Sequence, residues 1–134
     1  MRTYHLQIVT PDGKCFDGQA KSLTIPTIDG QVGILAGHIN FVTALGMGPA
    51  KVTTENGERV AACIGGMVAV TDGEVKVVAT TFEWADEIDV ERAKASMARA
   101  EKMLAEPDCD EQTKQYANAR KKRAQVRLGI AGKK

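Results

Sequence analysis

The sequence predicts a mainly β plus α chain, with a small antiparallel β-domain, sandwich or barrel, over residues 1–84 and an antiparallel two-helix hairpin over residues 85–134. Three observations predict it. Eleven of the 13 glycines precede residue 84 and none falls between Glu74 and Leu128, so the turn-forming residue disappears where helix becomes favourable. Before that break, short β-rich runs alternate with Pro-Asp-Gly, Ile-Asp-Gly, Glu-Asn-Gly and Thr-Asp-Gly, the punctuation of an all-β domain. After it, apolar residues recur at helical steps.

The strands follow in order as LQIVT, KSLTI, AKVTT, ERVAACI, MVAVT and EVKVVAT, each rich in β-branched residues that suit a pleated, half-buried surface. Asn56-Gly57 and Asp72-Gly73 each separate two such runs, which predicts tight hairpins with positive φ at both central positions. The segment Gly30-Gln-Val-Gly33-Ile-Leu-Ala-Gly37-His38 is glycine-rich but lacks the Gly-Lys-Ser/Thr ending of a phosphate loop. Turns within the β-domain are its favoured reading, phosphate binding the alternative.

From Ile88 onward, Val90, Ala93, Met97, Ala100 and Leu104 recur at alternating three- and four-residue steps, the narrow seam of a helix that packs on a helix. Asp86 is the predicted cap of its start. Glu106-Pro107-Asp108 ends it, because proline has no amide donor and disfavours helix in the residue before it. A second helix follows over roughly Glu111 to Leu128. The apposed faces carry Ala93, Ala100, Ala117 and Ala124, so the helices can approach closely while burying little area, and the hairpin is marginal on its own.

Composition narrows the function. A length of 134 residues supports one main core plus an appendage. Lys and Arg number 18 against 17 Asp and Glu, so a net +1 gives no overall field for nucleic acid or anionic lipid. Six aromatics leave few stacking platforms for bases or sugars. No apolar run nears the roughly 20 residues of a membrane span, and the start MRTYHLQIVTPDG lacks the order of a signal peptide. Cys15, Cys63 and Cys109 are odd in number and far apart, which fits reduced thiols in a cytosolic compartment.

Chemistry is sparse. His5 and His38 lie at no ligand spacing from a cysteine or from each other, so no metal site is expected. No Gly-x-Ser-x-Gly elbow or other nucleophile is visible, and no catalytic residue is expected. Charge, however, is segregated: residues 85–111 carry four basic and nine acidic side chains, residues 112–134 eight basic and none acidic. Arg92 and Arg99 share one face of the first helix, and Arg123 and Arg127 one face of the second. If those faces meet, the guanidinium groups repel unless phosphate or carboxylate oxygens lie between them; a solvated basic face is the competing reading. Arg120-Lys121-Lys122-Arg123 also suits a nucleic-acid backbone, but no recognition motif accompanies it.

Val9-Thr-Pro-Asp-Gly13 with Phe16, Gly33-Ile-Leu-Ala-Gly-His38, Gly65-Gly66 before Val70, and Ile88-Asp-Val-Glu-Arg-Ala93 stand in one order along the chain. Over essentially its whole length the sequence resembles the epsilon subunit of the rotary proton-translocating ATP synthase, called delta in mitochondria. The resemblance implies a ten-stranded antiparallel β-sandwich on the central stalk, bound to the gamma subunit and the c-ring. It implies no catalysis of its own, a hairpin that inhibits ATP hydrolysis when extended into the alpha/beta catalytic head, and a place on the cytoplasmic face of the bacterial plasma membrane, which it meets only through partners. No cofactor is required. In members that bind regulatory ATP, the resemblance places contacts on Glu83, Ile88, Asp89, Arg92, Ala93, Arg99, Arg123 and Arg127. Arg120 to Arg127 allow more than one register, and Arg123 and Arg127 are chosen for their Arg-Ala-x-x-Arg-Leu pattern. Gln31 stands where many members have an acidic residue and Ala36 where they have proline, both in the loop expected near the c-ring. On the arginines alone, a free-standing ATP-sensing module is the alternative function.

Overall fold

Three hairpins of the β-domain share one four-residue pattern, Thr-x-Asp/Asn-Gly, at residues 10–13, 27–30 and 54–57. In the computed structural model, which describes residues 2–131, Oγ1 of Thr10, Thr27 and Thr54 accepts the amide of Asp12, Asp29 and Asn56 at 3.2, 3.2 and 3.1 Å. The closing glycine of each turn holds a φ of 126°, 111° or 117°, a region that side chains rarely enter. Asn56-Gly57 therefore differs from expectation: Gly57 is already paired with Thr54, the loop is Glu55-Asn56, and positive φ falls on the glycine alone. At Asp72-Gly73 both central positions are left-handed, 50° and 83°, as the sequence predicts.

These turns join eight strands: β1 (Tyr4–Thr10), β2 (Gly13–Ala20), β3 (Ser22–Thr27), β4 (Gly30–Leu35), β5 (Phe41–Ala44), β6 (Met47–Thr54), β7 (Gly57–Thr71) and β8 (Glu74–Trp84). Their order is β2-β1-β8-β7-β6-β3-β4, with β5 on the far half of β7. Pairing is antiparallel except between β1 and β8, which run parallel. Strands from opposite ends of that order meet: Leu6 and Ile8 of β1 share one buried cluster with Leu23, Ile25 and Ile34 of β3 and β4. Tyr4 Oη, on β1, donates to the Ile34 carbonyl on β4 at 2.8 Å, and burial pushes its ionisation well above the ordinary range. The ladder is thus folded over on itself as a β-sandwich.

The count is eight rather than ten because β7 and β8 each run unbroken through both halves. The runs ERVAACI and MVAVT are one strand, continuous through Gly65-Gly66. At Gly66 φ is 121°, and a Cβ would lie 2.1 Å from the Val78 carbonyl oxygen, so only glycine lets β7 and β8 approach there. Sequence patterning missed β2, β4 and β5. β2 is polar and carries Cys15 as an extra residue, since Ile8 faces Phe16 while Val9 faces Lys14. β4 is the glycine-rich segment expected to form turns.

The 3-10 turn Ala85–Glu87 leads into α1 (Val90–Ala105), and α2 (Glu111–Ala131) returns. Asp86 lies in that turn, and Asp89 caps α1 instead, accepting the Arg92 amide at 3.0 Å. Asp110 does the same for α2 through the Thr113 amide at 2.7 Å, and the Thr113 hydroxyl together with that amide holds its carboxyl below the usual range. Ala93, Ala100, Ala117 and Ala124 are all buried between the helices. The hairpin lies against the sandwich: Ile130 of α2 packs with Ala62 of β7, Ala85 and Ile88, flanked by Val60 and Val126. Lys133 and Lys134, counted in the basic half, lie outside the described residues.

Candidate functional site

Along β8, Phe82 and Trp84 turn inward and Glu83 turns toward the hairpin, as strand alternation requires. Trp84 fixes this end of the strand: its Nε1 donates to the Cys15 carbonyl at 3.2 Å, and its ring meets Phe82 edge-on. Glu83 accepts from Arg127 Nε of α2 at 2.6 Å, both side chains about a quarter to a third exposed (30% and 27%). One charged hydrogen bond therefore ties the last helix to the sandwich.

Above that pair lies a cavity of about 560 Å³ between α1, α2, β8 and the β1–β2 turn. The sandwich contributes Glu83 and, from that turn, Thr10 and Asp12; α1 contributes Asp89, Arg92, Ala93, Ser96 and Arg99; α2 contributes Arg120 and Arg127. Seven residues is nearly two helical turns, so Arg92 aligns with Arg99 and Arg120 with Arg127. The charged lining is four guanidinium groups and three carboxylates, of which Glu83 holds Arg127 and Asp89 caps α1. Among the described residues no carboxylate lies within 4.0 Å of Arg92, Arg99 or Arg120. Such a cavity, of ligand size and with unneutralised guanidinium forks on two helices, is chemically suited to an anion with several phosphate oxygens.

The structure brings together Glu83, Asp89, Arg92, Ala93, Arg99 and Arg127 of the expected set, and leaves two outside the lining. Ile88 is buried under α2 in the apolar cluster with Ile130. Arg123 is rotated about 60° from Arg120, farther from the alanine seam, at about 100° per residue. Arg120 occupies the lining instead, donating from Nε to Ser96 Oγ of α1 at 2.8 Å and from Nη1 to Tyr116 Oη at 3.2 Å. The seven-residue spacing shared by Arg92–Arg99 and Arg120–Arg127 is the signal that picks it out.

Elsewhere the chemistry is quiet. Burial pushes the Cys63 thiol up to about 12 and raises that of Cys15, and all three cysteines are unpaired. No group of three or more metal-ligating side chains occurs among the described residues, and no helix among them is long and apolar enough to cross a membrane. Among the exposed apolar residues, Val42, Met67 and Val78 occupy one outer face, Met67 directly opposite Val78, while Leu35 and Ile39 lie at the end of β4 and Ile28 in the turn before its start. Gln31, on the same strand, donates to the Pro49 carbonyl at 3.0 Å, a bond an acidic residue there could not make.

A β-sandwich followed by a helical hairpin docked against it, with an arginine-lined cavity between the two, defines the class of protein by its architecture. Comparison with known proteins makes this particular. Residues 3–85 match the family model for the ATP synthase delta/epsilon chain β-sandwich domain, and residues 86–132 its long α-helix domain. The chain belongs to the ATP synthase delta/epsilon family. It is 35% identical over 131 residues to the ATP synthase epsilon chain of Shouchella clausii, covering 98% of this chain and 96% of that one. With the epsilon chain of Ruminococcus albus identity is 38% over 135 aligned positions, covering all of both. A chain of the Euglena gracilis mitochondrial ATP synthase superposes with a TM-score of 0.82 at 25% identity, over 96% of this chain and 81% of that one.

Proposed function

We propose that this subunit serves on the central stalk without catalysis of its own, couples proton translocation to rotation, and restrains ATP hydrolysis through its hairpin under the control of bound ATP. The observation that carries the regulatory part is the cavity itself, in which groups from both helices and the sandwich converge on one space. The residues fit a nucleoside triphosphate: Arg92, Arg99 and Arg127 supply forked donors for phosphate oxygens, and Asp89 and Ala93 place the first turn of α1, the positive end of its dipole, at the same cavity.

Bound between the helices, the phosphates replace guanidinium repulsion with bidentate hydrogen bonds and so favour the docked hairpin. Without them, a seam of alanines offers little apolar area to hold α1 on α2. ATP shifts this balance only by as much as it prefers the docked form. The released, strongly basic α2 would meet acidic segments of the alpha/beta catalytic head, where opposite charge supplies orientation and on-rate. The outer face around Val42, Met67 and Val78 suits an apolar contact with the gamma subunit, and the Leu35 and Ile39 end of β4 suits the c-ring. These contacts would hold the chain at the cytoplasmic face of a bacterial plasma membrane through its partners.

Calorimetric titration of the full chain with ATP, beside Arg92→Ala, tests the regulatory reading: saturable binding lost in the variant is expected, and absence of binding to the wild type would overturn it. Co-purification with the gamma subunit, weakened by Met67→Asp, tests the stalk contact.

A further inference from the structure

Trp84, the single tryptophan of the chain, is 4% exposed although it ends β8 at the rim of the sandwich. Its ring is closed in by Phe82, edge-on with centroids 5.1 Å apart, by Phe16 at 6.5 Å, and by the Arg59 guanidinium of β7, which lies 3.9 Å from the ring centre. A flat guanidinium over an indole face is a favourable cation–π pair, and more so where the ring is buried.

Arg59 also reaches past the end of the strand. Ala61 pairs with Trp84 and Ala62 with Glu83, so two residues further along that register Arg59 stands opposite Asp86, and its Nη2 lies 3.8 Å from Asp86 Oδ1. Asp86 is the middle residue of the 3-10 turn Ala85–Glu87. One side chain of the sandwich thus holds both the residue before the turn and the turn itself; the stack on Trp84 supplies the energy, and the exposed ion pair supplies the direction.

The ties that dock the helices are different ones, the apolar cluster around Ile130 and the Arg127 bond to Glu83. Ala85 of the turn belongs to that apolar cluster. Between the turn and α1 stand Ile88 and Asp89, both extended, with ψ of 127° and 96°. Residues of this kind, at the ends of elements, are where a hinge absorbs its change of torsion.

We propose that Arg59 pins the 3-10 turn to the sandwich, so that Ala85 stays part of the seat on which α2 docks, and that the hairpin on leaving swings about the Ile88–Asp89 link rather than peeling the end of β8 from β7. The inference rests on the reading of the hairpin as a unit that is released. Arg59 is a positioning residue for that motion.

Amide exchange of the full chain, resolved by segment, tests it. Ile130→Ala loosens the dock, so α1 and α2 should exchange roughly 50-fold faster while residues 82–87 stay within about twofold of wild type. Arg59→Ala should accelerate residues 82–87 by about threefold to thirtyfold, the span of a cation–π contact from exposed to desolvated. In the same variant α2 should also speed up, because its seat loosens, while β1 and β3 keep their rates. Arg59→Lys, which retains the charge near Asp86 but not the planar stack, should fall between wild type and Arg59→Ala. Acceleration of residues 82–87 in step with α1 and α2 in Ile130→Ala would put the pivot inside the sandwich and overturn the inference, with the released hairpin still standing. Arg59→Ala that leaves residues 82–87 within about twofold of wild type, or that accelerates β1 and β3 equally, would overturn it as well, the latter by making Arg59 a prop of the whole sandwich. Wild-type rates in both helices of Ile130→Ala would overturn the release reading and the pivot with it.

Discussion

Ile130→Ala should release the end of the hairpin from the sandwich without unfolding the sandwich. Ile130 is 3% exposed and is the main aliphatic contact that α2 makes with Ala62, Ala85 and Ile88. Shortening its side chain by three carbons costs about 2.4 kcal/mol at ~0.8 kcal/mol per buried carbon, before any cavity left behind is counted. At about 1.4 kcal/mol per decade, that is roughly a 50-fold shift toward the undocked hairpin. The sandwich core is a separate cluster built on Leu6, Ile25 and Val68, so its stability should hardly change. Amide hydrogen exchange resolved by segment separates the two: α1 and α2 should exchange roughly 50-fold faster through local opening while β1, β3 and β8 keep their protection. Exchange in α2 changed by less than about threefold would refute the idea that this cluster docks the hairpin, and parallel acceleration of the strands would show the two units to be one cooperative fold.

Other perturbations should be as specific. Gly66→Ala places a Cβ 2.1 Å from the Val78 carbonyl oxygen and should cost about 3 kcal/mol or more of global stability in urea titration. Asp89→Ala removes the cap of α1 and should cost that helix about 1 kcal/mol, seen as fraying of its first turn by amide exchange, and should weaken ATP through the displaced Arg92. His5 and Lys14 hydrogen-bond to Asp17 and hold its carboxyl below the usual range. Its contribution is therefore complete above the unfolded value near pH 4 and is lost as pH falls through the lowered folded value. Thermal melts from about pH 5 down to about pH 2 should fall less steeply for Asp17→Asn than for wild type, and parallel curves would contradict the assignment.

Much of the fold was legible because it rests on local rules. Asp72-Gly73 could be read as a left-handed turn from its two residues, and the alanine seam from its spacing. What was misplaced involves competition between local signals. Asp86 and Asp89 are both capping residues three apart, and the 3-10 turn at Ala85 leaves Asp89 as the one whose carboxylate reaches a free amide. β2 and β4 were missed because their residues are polar or glycine, and they are strands by virtue of the hydrogen bonds offered by β1 and β3. At the site, the arginine faces were visible in the sequence, but which arginines of α2 line the cavity depends on how far each lies from a seam that only the packed hairpin defines. The Glu83–Arg127 pair joins residues 44 apart, beyond any local pattern.

If ATP acts by holding the hairpin down, its binding must be felt by the helices as a whole. Amide exchange of the full chain, with and without ATP at about 100 times its dissociation constant, measures this directly, because such an excess stabilises the bound form by about 2.7 kcal/mol. Exchange through opening of α1 and α2 should slow by up to roughly 100-fold, with the strands unchanged. Saturating ATP that leaves both helices exchanging at their ligand-free rates would contradict the control of the hairpin by nucleotide.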